Sequence, residues 1–305
     1  MGGDLLVRGA VALARKARVP PLVIALSLVA FGTSLPELVV AVQAVVAKYP
    51  SIAIGSVVGS NIANVFLVTG APAVIYPLAC AGSSELRDSV LMVAVSVFLV
   101  LLCAAGDIDR TGGLALLAGL AVIAGLTLRA LARSYVIEKK RRAAPLEWVL
   151  GLPTNNWLIA LFIGAGVLGL PVGARLMVEA AVEVADHLGV SETVIGLTIV
   201  AVGTSLPELA TTVTAAVQRH TEVAVGTVVG SNMFNILAIL GTAALISSDP
   251  IPVPRSFLSL DLPVMLGAAL ILTLLIWRRR SIGRLAGALL LIGYCAYVLA
   301  LFLGA

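Results

Sequence analysis

Seven residues, Gly32-Thr33-Ser34-Leu35-Pro36-Glu37-Leu38, return letter for letter as Gly203-Thr204-Ser205-Leu206-Pro207-Glu208-Leu209, 171 residues further along the chain. The same offset carries Gly59-Ser60-Asn61 onto Gly230-Ser231-Asn232, Asn64 onto Asn235 and Gly70 onto Gly241. No gap is needed between Leu22 and Ala73, and roughly half of the aligned positions are identical. Each copy places a helix breaker and a carboxylate inside an apolar run. Hydrocarbon penalises both, so each must be compensated, and a duplicated, broken, acidic membrane helix points to an ion pathway.

The solvent follows from composition. Hydrophobic residues make up 60% of the chain and charged residues 12%, about half the charged share of a soluble domain. The chain therefore reads as an integral membrane protein. The cysteines Cys80, Cys103 and Cys295 lie in or beside apolar segments without metal-site spacing and read as small buried hydrophobes. The opening stretch, with Asp4, Arg8 and Arg15 around a short apolar run, does not read as a cleavable signal peptide.

A membrane span needs about 20 apolar residues. Spans are expected near 21–47, 51–79, 89–106, 112–133, 157–185, 192–217, 222–247, 260–277 and 282–303, with Leu5–Ala14 as a tenth element. The fold class predicted is an all-α membrane protein of ten transmembrane helices, arranged as two five-helix repeats at 1–133 and 157–305. Residues 134–156 form a basic linker between them that contains Lys139, Lys140, Arg141 and Arg142. Five spans separate equivalent motifs, so the second copy enters the membrane from the opposite side. The repeats are then inverted and their broken helices, 2, 3, 7 and 8, meet near the midplane. Helix 1 reads as shortened, by a late start or a truncation, because few residues precede Asp4 whereas a run from Trp157 precedes Arg175.

The chemistry lies within the motif. Pro36 and Pro207 have no amide hydrogen, so the carbonyls of Gly32 and Gly203 lose their helical partners. Such carbonyls are tolerated at membrane depth only where protein, water or an ion satisfies them. Thr33 and Ser34 share a helix face with Glu37, and Thr204 and Ser205 share one with Glu208. In the following span Ser60 and Asn64 are four residues apart, as are Ser231 and Asn235. Every donor in this set is oxygen, which suits Na⁺ and Ca²⁺ rather than zinc or copper. Glu37 and Glu208 read as the only carboxylates well inside spans without a basic neighbour in sequence. An acidic side chain at a helix centre costs about 2.5–3.5 kcal/mol on insertion scales. Two of them form a site that one Ca²⁺, two Na⁺ or two protons would neutralise. Such a site crosses the barrier loaded, which favours obligatory exchange over an open channel.

The neighbouring features have plainer readings. His187 and His220 fall in predicted loops, Arg175 and Glu179 suggest a local ion pair, and small-residue clusters such as Gly164-Ala165-Gly166 suggest helix packing. A membrane-embedded hydrolase would need a nucleophile and a base, and no such arrangement occurs within the spans.

The paired Gly-Thr-Ser-Leu-Pro-Glu and Gly-Ser-Asn-x-x-Asn signatures resemble the α-repeats of sodium/calcium exchangers, in the cation/Ca²⁺ antiporter superfamily. The resemblance is most specific over 19–72 and 190–243. It implies four ion sites between helices 2, 3, 7 and 8, with Glu37 and Glu208 shared by calcium and sodium. It makes Thr33, Ser34, Thr204 and Ser205 hydroxyl or carbonyl ligands, and Ala30 and Ala201 backbone-carbonyl ligands. Ser60, Asn64, Ser231 and Asn235 complete the set. It implies a prokaryotic plasma (inner) membrane protein that exchanges Na⁺ for Ca²⁺ by alternating access and extrudes the Ca²⁺. Such relatives usually exchange three Na⁺ for one Ca²⁺. No cofactor is implied, and the partners are the two ions and the lipid bilayer, with no nucleic acid. At Asn235 some prokaryotic relatives carry Asp, so a protonatable group is missing and sodium stoichiometry stays open. The alternatives are a proton-coupled calcium/cation antiporter and a passive cation channel.

Orientation follows from the basic residues. With the N-terminus outside and ten spans, 15 of the 20 Lys and Arg residues fall on one side, which the positive-inside rule makes cytoplasmic. Single cysteines at Arg141 and near Ala305, in a background without the native cysteines, are expected to react with an impermeant thiol reagent from opposite sides. Labelling of both from one side would show a misread span.

Overall fold

The computed structural model describes residues 2–16, 34–80, 83–137, 152–217, 219, 221–278 and 281–303. These form an almost entirely helical bundle. In chain order the helices are α1 (Gly2–Lys16), α2 (Leu35–Val46), α3 (Pro50–Ile75), α4 (Ser83–Ala105) and α5 (Arg110–Ile137). A second set follows: α6 (Asn156–Leu188), the bent pair α7a (Glu192–Thr204) and α7b (Leu206–Val217), and α8. Helix α8 runs through Thr221–Phe234, Asn235–Leu240 and Gly241–Ile246, and is followed by α9 (Phe257–Trp277) and α10 (Arg284–Leu303). Seven of the described helices are long and apolar enough to cross a membrane, or eight if the bent pair is one span.

The outer faces are apolar, with Trp157, Leu168, Leu285 and Leu303 all more than 70% exposed. The buried centre holds Ser34, Glu37, Ser60, Asn61, Asn64, Thr204, Ser205, Glu208, Ser231, Asn232 and Asn235. That is the distribution lipid selects, with polar groups turned to one another. Helix α3 is buried along almost its whole length and forms the axis of the bundle.

Local chemistry explains the boundaries. Asn155 caps α6, its side chain accepting from the Trp157 amide at 3.1 Å, and Gly189 at φ 65° ends that helix in the left-handed conformation. Ser191 then caps α7a through the Val194 amide. Pro207 cannot donate, and the helix turns by 44° at Ser205. Ser34, ahead of α2, sits at φ −90°, ψ 8° and Ser205, ahead of α7b, at φ −79°, ψ 1°, so the equivalent residues of the two motifs share one backbone geometry. The same offset relates Lys48 (φ 68°) to Arg219 (φ 63°), two non-glycine residues in left-handed turns ahead of α3 and α8.

Helices 3 and 8 were expected to be broken; they are bulged instead. Each runs on through a π-helical turn that starts at the motif asparagine, at Asn64–Val68 and at Asn235–Leu240. A π turn re-aims side chains without ending the helix, and such bulges recur at functional sites. The glycines of α3 serve close approach: a Cβ on Gly55 would lie 2.9 Å from the Thr193 carbonyl oxygen, and one on Gly59 would strike the Leu197 backbone.

Contacts outside the centre also come in related pairs. Leu78 pairs with Ile282 and Ile108 with Ile251 in short antiparallel bridges that join the two halves. Gly70 meets Gly287 where α3 crosses α10, and Gly241 meets Gly113 where α8 crosses α5. Helix α1 packs along α6, with Gly9 seated against Phe162 and Ile163.

Two details differ from the expectation. Asp261, only 1% exposed, is a further buried carboxylate, and its Oδ1 accepts from the Tyr297 hydroxyl at 2.8 Å, tying α9 to α10. Cys80 and Cys103 are buried as expected, whereas Cys295 lies exposed on the surface of α10, a face that apolar neighbours alone do not place. Burial pushes the Cys80 thiol up to about 11. The exposed Arg175–Glu179 pair is present at 2.7 Å. His187 falls in the last turn of α6 rather than in a loop, and His220 lies outside the described residues.

A Cβ on Gly287 would lie 2.8 Å from the Gly70 carbonyl oxygen and 2.9 Å from Ala73 Cβ. Gly287→Val is therefore expected to destabilise the detergent-solubilised protein by about 1–3 kcal/mol through overpacking. Thermal denaturation checks this, with Gly164→Val as a tolerated control on an open face.

Candidate functional site

The site is built where α2, α3, α7a, α7b and α8 converge. Ser34 and Glu37 stand at the start of α2, and Thr204, Ser205 and Glu208 flank the bend between α7a and α7b. Ser60 and Asn64 come from α3, and Ser231 and Asn235 from α8. All nine are buried, with Glu37 at 3% exposure and Glu208 at 0%. Ala30 and Thr33 lie outside the described residues.

The two carboxylates come from opposite copies of the motif and are buried close enough for their charges to act on each other. Two like charges buried near each other are costly in an interior, and a cation placed between them would offset that cost. Ser34 Oγ donates to Glu208 Oε1 at 3.1 Å and lies 3.3 Å from Ser231 Oγ, which makes a longer 3.5 Å contact with the same carboxylate oxygen. The equivalent hydroxyls around Glu37 do otherwise. Ser60 turns to the Ala201 carbonyl at 3.4 Å and to Thr204 Oγ1 at 3.3 Å, and Thr204 itself donates to Ala201 at 3.2 Å. Ser205 Oγ and both Glu37 oxygens have no hydrogen-bond partner among the described residues. The two halves of the site are thus related in sequence but unequal in bonding.

An amide network closes the site on the α3–α8 side. Asn64 Nδ2 donates to Asn232 Oδ1 at 3.0 Å, and Asn235 Nδ2 donates to Asn61 Oδ1 at 3.2 Å. The order of partners reverses between the strands of this pairing, so α3 and α8 cross antiparallel. Asn232 Nδ2 donates to the Asn61 backbone carbonyl at 3.2 Å, and Asn61 Nδ2 reaches Met265 Sδ at 3.8 Å. Asn64 Oδ1 and Asn235 Oδ1 are left buried without a donor among the described residues.

The buried polar atoms that lack partners here are therefore two carboxylate oxygens, two amide oxygens and a hydroxyl. Oxygen acceptors gathered without donors match a hard cation. Among the described residues no three His, Cys, Asp or Glu side chains cluster, so the formal charge of the site comes from Glu37 and Glu208 alone.

Asn61, Asn232 and Thr212 were not singled out as site residues. Thr212 Oγ1 donates to the Val68 carbonyl at 3.1 Å, holding α7b against the end of the α3 bulge. Its spacing, four residues after Glu208, could have marked it. Asn61 and Asn232 stand within the duplicated motif, but only the antiparallel crossing shows that they bond to the opposite copy.

The described residues form an apolar-faced helical bundle, with helices long enough to cross a membrane and with oxygen acceptors gathered at its buried centre. The sequence profile of the sodium/calcium exchanger protein family matches residues 1–129 and 157–303. The inner membrane protein YrbG of Escherichia coli K12 is 36% identical over 309 aligned residues, covering 98% of this chain and 92% of its own length. The sodium/calcium exchanger MaX1 of Methanosarcina acetivorans is 33% identical, covering 99% and 94%. The solved structure of the sodium-calcium exchanger NCX_Mj, soaked with Na⁺ and Sr²⁺, superposes with a TM-score of 0.66 at 29% identity, covering 98% and 93%. The chain belongs to the sodium/calcium exchanger family.

Binding that fills these acceptors stabilises the folded protein. Ca²⁺ at one hundred times its dissociation constant is expected to add about 2.7 kcal/mol, seen as a raised melting temperature in Na⁺-free detergent solution. Mg²⁺, which demands a tight octahedron and holds its water, is expected to do much less.

Proposed function

We propose that this exchanger carries Na⁺ and Ca²⁺ in opposite directions through one central site by alternating access, extruding Ca²⁺. The observation that carries the reading is the set of buried oxygens without donors, arranged around the carboxylates Glu37 and Glu208. Two negative charges are matched by one Ca²⁺ or by two Na⁺, with further Na⁺ held by neutral oxygens. The ligand set is Ser34, Glu37, Ser60, Asn64, Thr204, Ser205, Glu208, Ser231 and Asn235, with Ala30, Thr33 and the Ala201 carbonyl completing it.

The architecture that goes with this reading is ten transmembrane helices in two inverted repeats, 1–133 and 157–305, joined by a cytoplasmic linker at 134–156. In it α7a and α7b form one broken span. The antiparallel crossing of α3 and α8 and the matched dihedrals of Ser34 and Ser205 support it. The unequal bonding of the two halves supports alternating access, since an inverted pair exchanges roles as the protein turns from one face to the other. The termini lie outside, in a prokaryotic inner membrane, as the basic asymmetry suggests.

In the mechanism, an ionised and empty site is too costly to carry across the occluded state, so the transition waits for a load. Ser34 and Ser231 hold Glu208 in place, while Glu37 keeps both oxygens available to the ion. The bend at Ser205 lets α7a and α7b shift against α3, whose glycines permit close sliding contact.

Glu37→Gln or Glu208→Gln keeps the shape and removes one of the two charges. Each is expected to reduce Na⁺-driven ⁴⁵Ca²⁺ uptake into proteoliposomes by more than about tenfold, with the folded protein recovered intact. An imposed proton gradient is expected to drive little uptake. Wild-type flux in either variant would exclude the shared site, and equal flux under the proton gradient would make the protein proton-coupled.

A further inference from the structure

We infer that Asn61 and Asn232 are positioning residues which decide that Asn64 and Asn235 present oxygen, and not nitrogen, to the ion site. The inference rests on the cation-site reading above and adds a part that ligand lists leave out.

An amide side chain is nearly symmetric in shape and opposite in chemistry at its two ends: one accepts, the other donates twice. Facing a cation, the wrong end would be repulsive. Something must therefore set the orientation before the ion arrives. In this structure the reference is a backbone carbonyl, which can only accept. Asn232 Nδ2 donates to the Asn61 carbonyl at 3.2 Å, so Asn232 Oδ1 must lie on the other side of its amide. That oxygen accepts, and the atom Asn64 offers it at 3.0 Å is Nδ2. Asn64 Oδ1 then has to point away, into the buried interior, where no described donor meets it.

The second arm runs the same way from a different anchor. Asn61 Nδ2 turns to Met265 Sδ at 3.8 Å, an atom with no hydrogen to give. Asn61 Oδ1 is thereby left to accept from Asn235 Nδ2 at 3.2 Å, and Asn235 Oδ1 is buried without a described donor. All four amides are at most 3% exposed, so water does not compete for these bonds. The network crosses between the two motif copies in both arms. Each copy thus orients the ligand of the other, and the two remain in register only while α3 and α8 stay paired.

The π-helical turns fit this role. They begin at Asn64 and Asn235 themselves, so Asn61 and Asn232, three residues earlier, stay one regular turn away from the ligands they orient. The arrangement is the all-oxygen counterpart of the outer partners that fix metal-ligating imidazoles, whose removal typically costs 10–100-fold in affinity.

The test uses the full-length protein in detergent, with Ca²⁺ affinity read by isothermal titration in Na⁺-free buffer. Asn232→Ala frees the Asn64 amide to rotate and is expected to weaken Ca²⁺ binding about tenfold. In an Asn64→Asp background both outer atoms are oxygen and no orientation is needed. There Asn232→Ala is expected to change affinity by less than about twofold, a non-additivity that packing loss would not produce. The mirror cycle, Asn61→Ala with and without Asn235→Asp, repeats the test at the other arm and stands in if one variant does not fold. A similar loss from the alanine change in both backgrounds would overturn the positioning role. The site itself is judged separately: Glu37→Gln abolishing Ca²⁺ binding supports it, and undiminished binding in that variant would remove the basis of both claims.

Discussion

Glu37 and Glu208, two carboxylates from opposite motif copies brought close in a buried interior, set the terms for everything around them. Among the described residues Glu37 has no hydrogen-bond partner for either oxygen, and in the proposed exchange its charge is met by the ion that enters. The hydroxyls, amide oxygens and helix bends around the pair are arranged so that the ion finds acceptors and few donors. A site of this kind gains stability on loading and resists crossing the membrane when empty, which is the physical root of coupled exchange.

The bundle exists to hold that pair at the right depth. Pro36 stands in the first turn of α2 and Pro207 in that of α7b, just before each carboxylate, and Ser34 and Ser205 ahead of them share the same backbone dihedrals. Gly55 and Gly59 bring α3 onto α7a at a distance no side chain would allow. Glycine pairs at α3–α10 and α5–α8 do the same farther out. Small residues replace the hydrophobic effect as the source of tight packing, since lipid offers no such drive.

Much of this was legible in the chain because the duplication supplied its own control. A lone Gly-Thr-Ser-Leu-Pro-Glu reads as a kinked helix; two, each followed by Gly-Ser-Asn-x-x-Asn at a fixed distance, read as a site. The carboxylates, the bend at Pro207 and the helical spans followed from periodicity and chemistry. Other features depend on partners far apart in sequence. The cross-copy bonds of Asn61 and Asn232, the Asp261–Tyr297 pair and the Thr212–Val68 bond join residues that no local pattern connects. The π-helical turns at Asn64 and Asn235 were read as breaks, because glycine-rich helices suggest flexibility when their glycines in fact serve contact. The asymmetry between Glu37 and Glu208 could not be read at all, since the two motifs are identical and only the conformation tells them apart.

The central claim is that Ca²⁺ and Na⁺ occupy overlapping oxygens around Glu37 and Glu208, so that one displaces the other. Titration of the purified protein with Ca²⁺ at several fixed Na⁺ concentrations tests it most directly. The account predicts that the apparent Ca²⁺ dissociation constant rises steeply with Na⁺, more than in proportion to its concentration, because more than one Na⁺ takes the place of one Ca²⁺. A Ca²⁺ affinity indifferent to Na⁺ would contradict it.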